Sequence, residues 1–410
     1  MTLNRAGSPR KTEPRSSIGP YTRLAFFGLG AAFLILGIRL LHLTHRITTF
    51  SCYLDAGLRW RDGGPIYNNG EGMGFVYSPL IAAYFAAYTF LPVWMGKMVW
   101  LLTNEGLLAW GTYAVIREGV FRIASDRARA LVLILLLPFS MASLDVAQSN
   151  SALIGLMLIA VALAARERWT LCVIALALAV YLKIYPLVLG LVLCVYAPGK
   201  VTWRLALALL SLGALSLVLQ HPHYVLTQYH EWFATRAADD RRLNSAAHAP
   251  LDLWFLIVRL GHLPISERAY VALQVLSGGA IAGFALLTRG WAPGRRLAGI
   301  YLLCSSWIIL LGPATESYTY AILAPAVSLA LVAAFSGPAP PLTRMLAALA
   351  AGMMLAAQFK NIFFASWHSV SYNAMRPMGA LILTCAVILW LREDAMWEAS
   401  DSGPGCVPSA

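Results

Sequence analysis

The sequence predicts an all-α polytopic membrane protein, a bundle of about 12 transmembrane helices whose long first outer loop carries juxtamembrane helices. Three observations carry that reading. Hydrophobic residues make up 59% of the 410-residue chain and charged residues only 12%, about half the share found in soluble domains. Mean hydropathy is +0.67. Apolar runs of about 20 residues, long enough to cross a ~30 Å hydrocarbon core, recur along the chain.

Residues 1–21 are polar and basic and read as a disordered cytoplasmic tail. The apolar run after them is too long for a signal-peptide core, and no small-x-small cleavage site follows it, so it reads as an uncleaved first span. Spans are expected at 22–43, 93–116, 130–144, 148–165, 169–182, 185–197, 203–220, 268–288, 298–312, 318–335, 343–358 and 377–392. Residues 22–392 thus form one transmembrane domain, and 393–410 a second disordered cytoplasmic tail. The run 77–92, YSPLIAAYFAAYTFLP, is a further apolar segment bounded by Pro79 and Pro92, and reads as a half-span or re-entrant piece.

Charge sets the orientation. Twelve crossings leave both termini inside and give the inner side the excess of lysine and arginine. Counting 77–92 as a full crossing would move the loop 117–129, with its four arginines, to the outer side. The net charge of +12 is spread over short loops and interleaves with no exposed aromatic stretch, so nucleic acid is not an expected partner. Only Cys52 of the six cysteines falls in an outer loop, so no disulfide framework is implied.

Two outer loops are long, 44–76 and 221–267, and 251–262 within the second reads as an interfacial helix. The eight histidines and most carboxylates outside the tails fall on the outer side. Polar chemistry gathered at one face suits an outward-facing active site, whereas a channel places polar groups at mid-span. His221, His223 and His230 resemble a metal cluster, but Pro222 breaks the helical spacing that a His-x-x-x-His site uses. No metal site is expected, and no GxGxxG or Walker motif is present.

The first outer loop mixes aromatics (Phe50, Tyr53, Trp60, Tyr67) with charges (Asp55, Arg59, Arg61, Asp62) and glycines. Residues 50–61 read as a short amphipathic helix on the membrane surface, with Asp55 and Arg59 spaced to pair. Phe50, Tyr53, Ala56, Gly63, Tyr67 and then Tyr77-Ser78-Pro79 resemble the first outer loop of glycosyltransferase family 87. Further likenesses are Gln148-Ser149-Asn150, Lys183-Ile184-Tyr185-Pro186, Asn244-Ser245 and the turn Gly312–Tyr318. That family uses polyprenyl-phosphate sugars, has the GT-C fold, and includes mannosyltransferases that build phosphatidylinositol mannosides.

The resemblance implies a transferase acting on a lipid-linked sugar donor and a lipid or glycan acceptor, among membrane lipids and without a metal or other cofactor. The family's first loop carries an Asp before Phe-x-x-Tyr, thought to be the catalytic base. Thr49 stands there in this sequence and cannot accept a proton in that role. Asp55 and then Glu316 are the replacement candidates, Glu316 also reading as a helix-capping acid. Lys183 reads either as the partner of the donor phosphate or as a lysine snorkelling to head groups. Gln148 and Asn150 read as contacts to sugar hydroxyls or as helix caps. Tyr53, Arg59, Arg241 and Asn244 complete the expected substrate contacts. Two other classes stay open: a transporter or flippase, and a catalytically silent binder of lipid-linked sugars.

Overall fold

The computed structural model describes residues 18–42, 48–67, 74–123, 125–238, 242, 244–245, 249–312, 315–363, 369–394 and 397. Most of both terminal tails, and Asp239, Asp240, Arg241 and His248 of the second long loop, lie outside the described residues. Every described regular element is helical. All twelve expected apolar runs are helical over most of their length. They are α1 (Pro20–His42), α4 (Val93–Arg117), α5 (Asp126–Asp145), α6 (Asn150–Ala165), α7 (Trp169–Leu182), α8 (Leu187–Tyr196), α9 (Pro198–Leu219), α11 (Glu267–Leu287), α12 (Pro293–Leu311), α13 (Ala324–Ser336), α14 (Pro341–Phe363) and α15 (Val370–Arg392). A 3₁₀ segment, Ser317–Leu323, leads into α13. Eight of these helices, the last 3₁₀–α13 pair counted as one, are long and apolar enough to cross a bilayer.

The remaining helices are short or polar. They are α2 (Thr49–Asp62), α3 (Pro79–Ala86), extended by a 3₁₀ turn Ala87–Phe90, and α10 (Pro222–Ala238). Together α3 and its 3₁₀ turn rise roughly 20 Å, short of the ~30 Å hydrocarbon core. The expectation of a half-span over 77–92 therefore fits its length. Within 251–262, residues 253–260 are helical, Phe255–Leu260 as a π-type turn.

Helix α2 forms because its apolar residues repeat at helical spacing. Thr49, Phe50, Tyr53, Ala56, Gly57 and Trp60 are buried along one stripe. Gly63 stops it, at φ 72°, by taking the left-handed conformation that a Cβ disfavours. Gly57 lets the stripe press onto α3: a Cβ there would stand 2.6 Å from the Phe85 carbonyl.

Direct backbone contact also joins α4 to α6. A Cβ on Gly155 would meet the Leu107 carbonyl at 2.4 Å, and one on Gly111 the Gly155 oxygen at 2.5 Å. In lipid, where burying apolar surface gives helices little reason to associate, such small-residue contacts are a main source of attraction. The loops gather at the two ends of the bundle. One end joins residues 48–67, 74–78, 146–150, 181–183, 220–232, 249–260 and 315–320 by hydrogen bonds between these segments. The other holds the arginine-rich connections. Arg166 pairs with Glu118, Lys200 with Glu167 at 3.1 Å, and Arg295 stacks 4.0 Å from the Trp291 ring.

Gly155→Val should cost roughly 1–3 kcal/mol by forcing α4 and α6 apart. A thermal melt in detergent checks this, with Gly283→Val, where a Cβ meets nothing within 4 Å, as the neutral comparison.

Candidate active site

The site begins at the turn between α5 and α6. Ala147 sits there at φ 54°, a conformation unusual outside glycine. Its neighbours hold it in place: the Trp100 indole donates to the Ala147 carbonyl at 2.9 Å, and the Thr49 N–H donates to the Val146 carbonyl at 2.9 Å. Gln148, Ser149 and Asn150 then enter α6 buried. The Ser149 N–H donates to the Tyr53 hydroxyl oxygen at 3.2 Å.

The Ser149 hydroxyl does not cap α6. The cap comes from another helix. Asn104 of α4, 1% exposed, accepts the Ala152 N–H on Oδ1 at 3.0 Å and donates its amide to the Trp100 carbonyl at 3.1 Å. This satisfies one of the orphan donors in the first turn of α6 and fixes the height of that turn.

Asn150, fully buried, is the hub. Its amide donates to Gln148 Oε1 at 2.6 Å and to the Tyr318 carbonyl at 2.8 Å. Its Oδ1 accepts from Lys183 Nζ at 2.7 Å. Lys183 ends α7 in extended conformation, and its ammonium lies 5.8 Å from the Tyr77 ring centre and 6.0 Å from that of Tyr185. The Ser78 hydroxyl donates to the Tyr181 carbonyl at 2.8 Å, which ties the Tyr77 loop to the end of α7. Tyr53 meets Tyr77 edge to face at 4.9 Å. Burial pushes both phenols up from their ordinary value, so they stay neutral.

Glu316 stands on the Tyr318 side. It caps the 3₁₀ segment: its carboxylate accepts the Thr319 N–H, and its own N–H donates to the Thr319 hydroxyl at 3.2 Å. Two residues on, the Tyr318 carbonyl takes the Asn150 amide, so the segment that Glu316 caps abuts the same cluster. The segment is braced from behind, where the Leu251 N–H donates to the Thr315 carbonyl at 2.7 Å and the Tyr320 hydroxyl to the Leu251 carbonyl at 2.8 Å.

Of the residues expected from sequence, Gln148, Asn150, Lys183 and Tyr53 come together, with Glu316 at their edge. Thr49 also lies against this turn, buried. Asp55 and Arg59 form the expected pair, at 2.8 Å, but on the half-exposed side of α2. Asn244 offers its carbonyl to Arg259 at 2.8 Å in the second long loop. Arg241 lies outside the described residues. Among the described residues no three His, Cys, Asp or Glu side chains gather as a metal site.

Sequence reading missed Asn104 and Asp252. Asn104 gave no signal, being one polar residue in an apolar span. Asp252 sits in the brace, where its Oδ1 accepts the Phe255 N–H at 3.1 Å. Burial pushes its carboxyl up to about 7.

A polytopic helical bundle with a polar cluster at one end, an ammonium among phenols and amides, and a carboxylate beside it is the setting of a membrane-embedded glycosyltransferase. The family comparison makes this specific: the model of glycosyltransferase family 87 matches residues 75–313, more than half of the chain. The chain belongs to that family. The matched segment contains Tyr77, Gln148, Asn150 and Lys183, with Tyr53 before it and Glu316 just after. No curated protein matches the chain.

Two predictions come from this geometry. Asn104→Ala should cost about 1 kcal/mol, the worth of a helix cap, read from a thermal melt. For Asp252 the folded carboxyl ionises at higher pH than the ordinary 3.8 of the unfolded one, so its burial lowers stability progressively between about 4 and 7 and fully above. Asp252→Asn should remove that loss, and melts at pH 5 and pH 8 should then differ less than in the wild type.

Proposed function

We propose that this chain transfers a sugar, a mannose-like hexose or a pentose, from a polyprenyl phosphate to a lipid or glycan acceptor on the outer face of a bacterial inner membrane. The observation that carries the reading is the Lys183–Asn150 contact at 2.7 Å, beside Tyr77 and against the segment that Glu316 caps. It puts a cation, hydrogen-bonding amides and a carboxylate within one cluster at one end of the bundle.

Each group has a task in this reaction. Glu316 takes the proton of the acceptor hydroxyl, and its cap to Thr319 holds the carboxylate in place. The acceptor oxygen attacks the anomeric carbon from the side opposite the phosphate. The bond from that carbon to the phosphate oxygen breaks, and the electron pair leaves with the polyprenyl phosphate. Lys183 neutralises the leaving phosphate. Gln148 and Asn150 orient sugar hydroxyls, and Tyr53 supports their turn. One displacement inverts the anomeric centre. Phosphate on the lipid makes a nucleotide site or a metal unnecessary. Asp55 is the second candidate base, and its pairing with Arg59 on the half-exposed side of α2 ranks it behind Glu316.

The test is transfer from labelled polyprenyl-phosphate mannose, glucose and arabinose to a bacterial lipid extract, with the protein in nanodiscs. Glu316→Gln should lower kcat by roughly 100-fold, the usual worth of a general base, and Asp55→Asn should leave it within about threefold. The reverse pattern would move the base to Asp55. No transfer from any donor by the wild type would favour a silent binder, with Thr49 at the family's Asp position as its cause.

A further inference from the structure

Arg376 lies in the second turn of α15, 3% exposed. Its Nη2 donates to the Ala357 carbonyl of α14 at 3.0 Å. Among the described residues, the titratable groups that act on it, from α15 itself and from the segment before α13, are the phenols of Tyr320, Tyr372 and Tyr318, and Tyr320 shares a cavity with it. Among the described residues no carboxylate stands within ion-pair distance of it. A guanidinium is always charged, and a buried charge without a counter-charge is among the costliest groups a protein can keep. In an apolar helix such a residue faces the bundle interior and by default marks a functional site.

The surroundings fit an anion on an apolar carrier. Arg376 opens on a narrow cavity with room for one oxygen-sized group, lined by Gln358 and Tyr320 and walled by Phe139, Val327 and Met354. The Tyr320 hydroxyl is already committed to the Leu251 carbonyl, which leaves Arg376 and the Gln358 amide to receive a ligand. The cavity adjoins the active site through one short segment. Tyr318, whose carbonyl takes the Asn150 amide, is on the segment that also supplies Tyr320.

We propose that Arg376 and Gln358 form a second anion site, which takes a phosphate oxygen of a lipid phosphate at the end of the bundle that carries the active site. The ligand class is a phosphate on an apolar chain, whether the prenyl carrier or an anionic phospholipid. The site does not depend on the transfer reaction assigned above.

Binding decides it. The wild type, Arg376→Gln, Arg376→Lys and Gln358→Leu are each placed in zwitterionic nanodiscs. They are titrated with a prenyl phosphate, the matching prenol and an anionic phospholipid, and followed by native mass spectrometry. Arg376→Gln should weaken binding of the phosphate lipid roughly tenfold or more and leave the prenol unchanged. Arg376→Lys should recover part of the loss, and Gln358→Leu should weaken the same lipid if Arg376→Gln does not fold. An Arg376-dependent response to the prenyl phosphate alone assigns the carrier, and one to the phospholipid assigns that source. Equal affinities for both phosphate lipids in wild type, Arg376→Gln and Gln358→Leu overturn the proposal. Arg376-dependent binding by a wild type that transfers no sugar would overturn the transfer reading and keep this one.

Discussion

Everything at the active end hangs on the contact between α4 and α6. Gly111 and Gly155 bring the two backbones together with no side chain between them. That closeness brings Asn104 within reach of the first turn of α6, where it supplies the cap that Ser149 does not. The height of the turn then sets Asn150, and Asn150 sets Lys183 and Tyr318. In a bilayer this order matters more than in water. Unpaired backbone groups at helix ends have no solvent to turn to, so each must be met by a side chain from a neighbour.

The electrostatics of the site follow from the same confinement. The Lys183 ammonium donates to Asn150 Oδ1 and lies beside the Tyr77 and Tyr185 rings. Cations are more numerous at the other end, where they pair with Glu118 and Glu167 or lie over aromatic rings. In the proposed transfer the Lys183 ammonium meets the leaving phosphate. Arg376 is a second cation, and it is set apart from Lys183 by the 3₁₀ segment that Glu316 caps.

How far the sequence could be read differed by element. Apolar runs gave the helices, because twenty apolar residues in a row have few other uses. The stripe from Thr49 to Trp60 gave α2, and the i, i+4 spacing gave the Asp55–Arg59 pair. Gln148, Asn150 and Lys183 were legible as polar residues at span ends. The distance of Asp55 along the helix from Thr49 says nothing of which side faces the cluster. Asn104 and Arg376 were hidden, each a single polar residue in or beside an apolar run, whose meaning depends on what another helix presents to it.

The sequence alone determined the class of molecule, its helices and the chemistry at their ends, because hydrophobicity and local spacing are properties of the chain. Tertiary structure alone decided that Gln148, Asn150, Lys183, Tyr53 and Tyr77 share one cluster and that Glu316 borders it. Those outcomes rest on contacts between residues far apart in the chain, such as Asn104 with Ala152 and Asn150 with Tyr318, and periodicity carries no information about them.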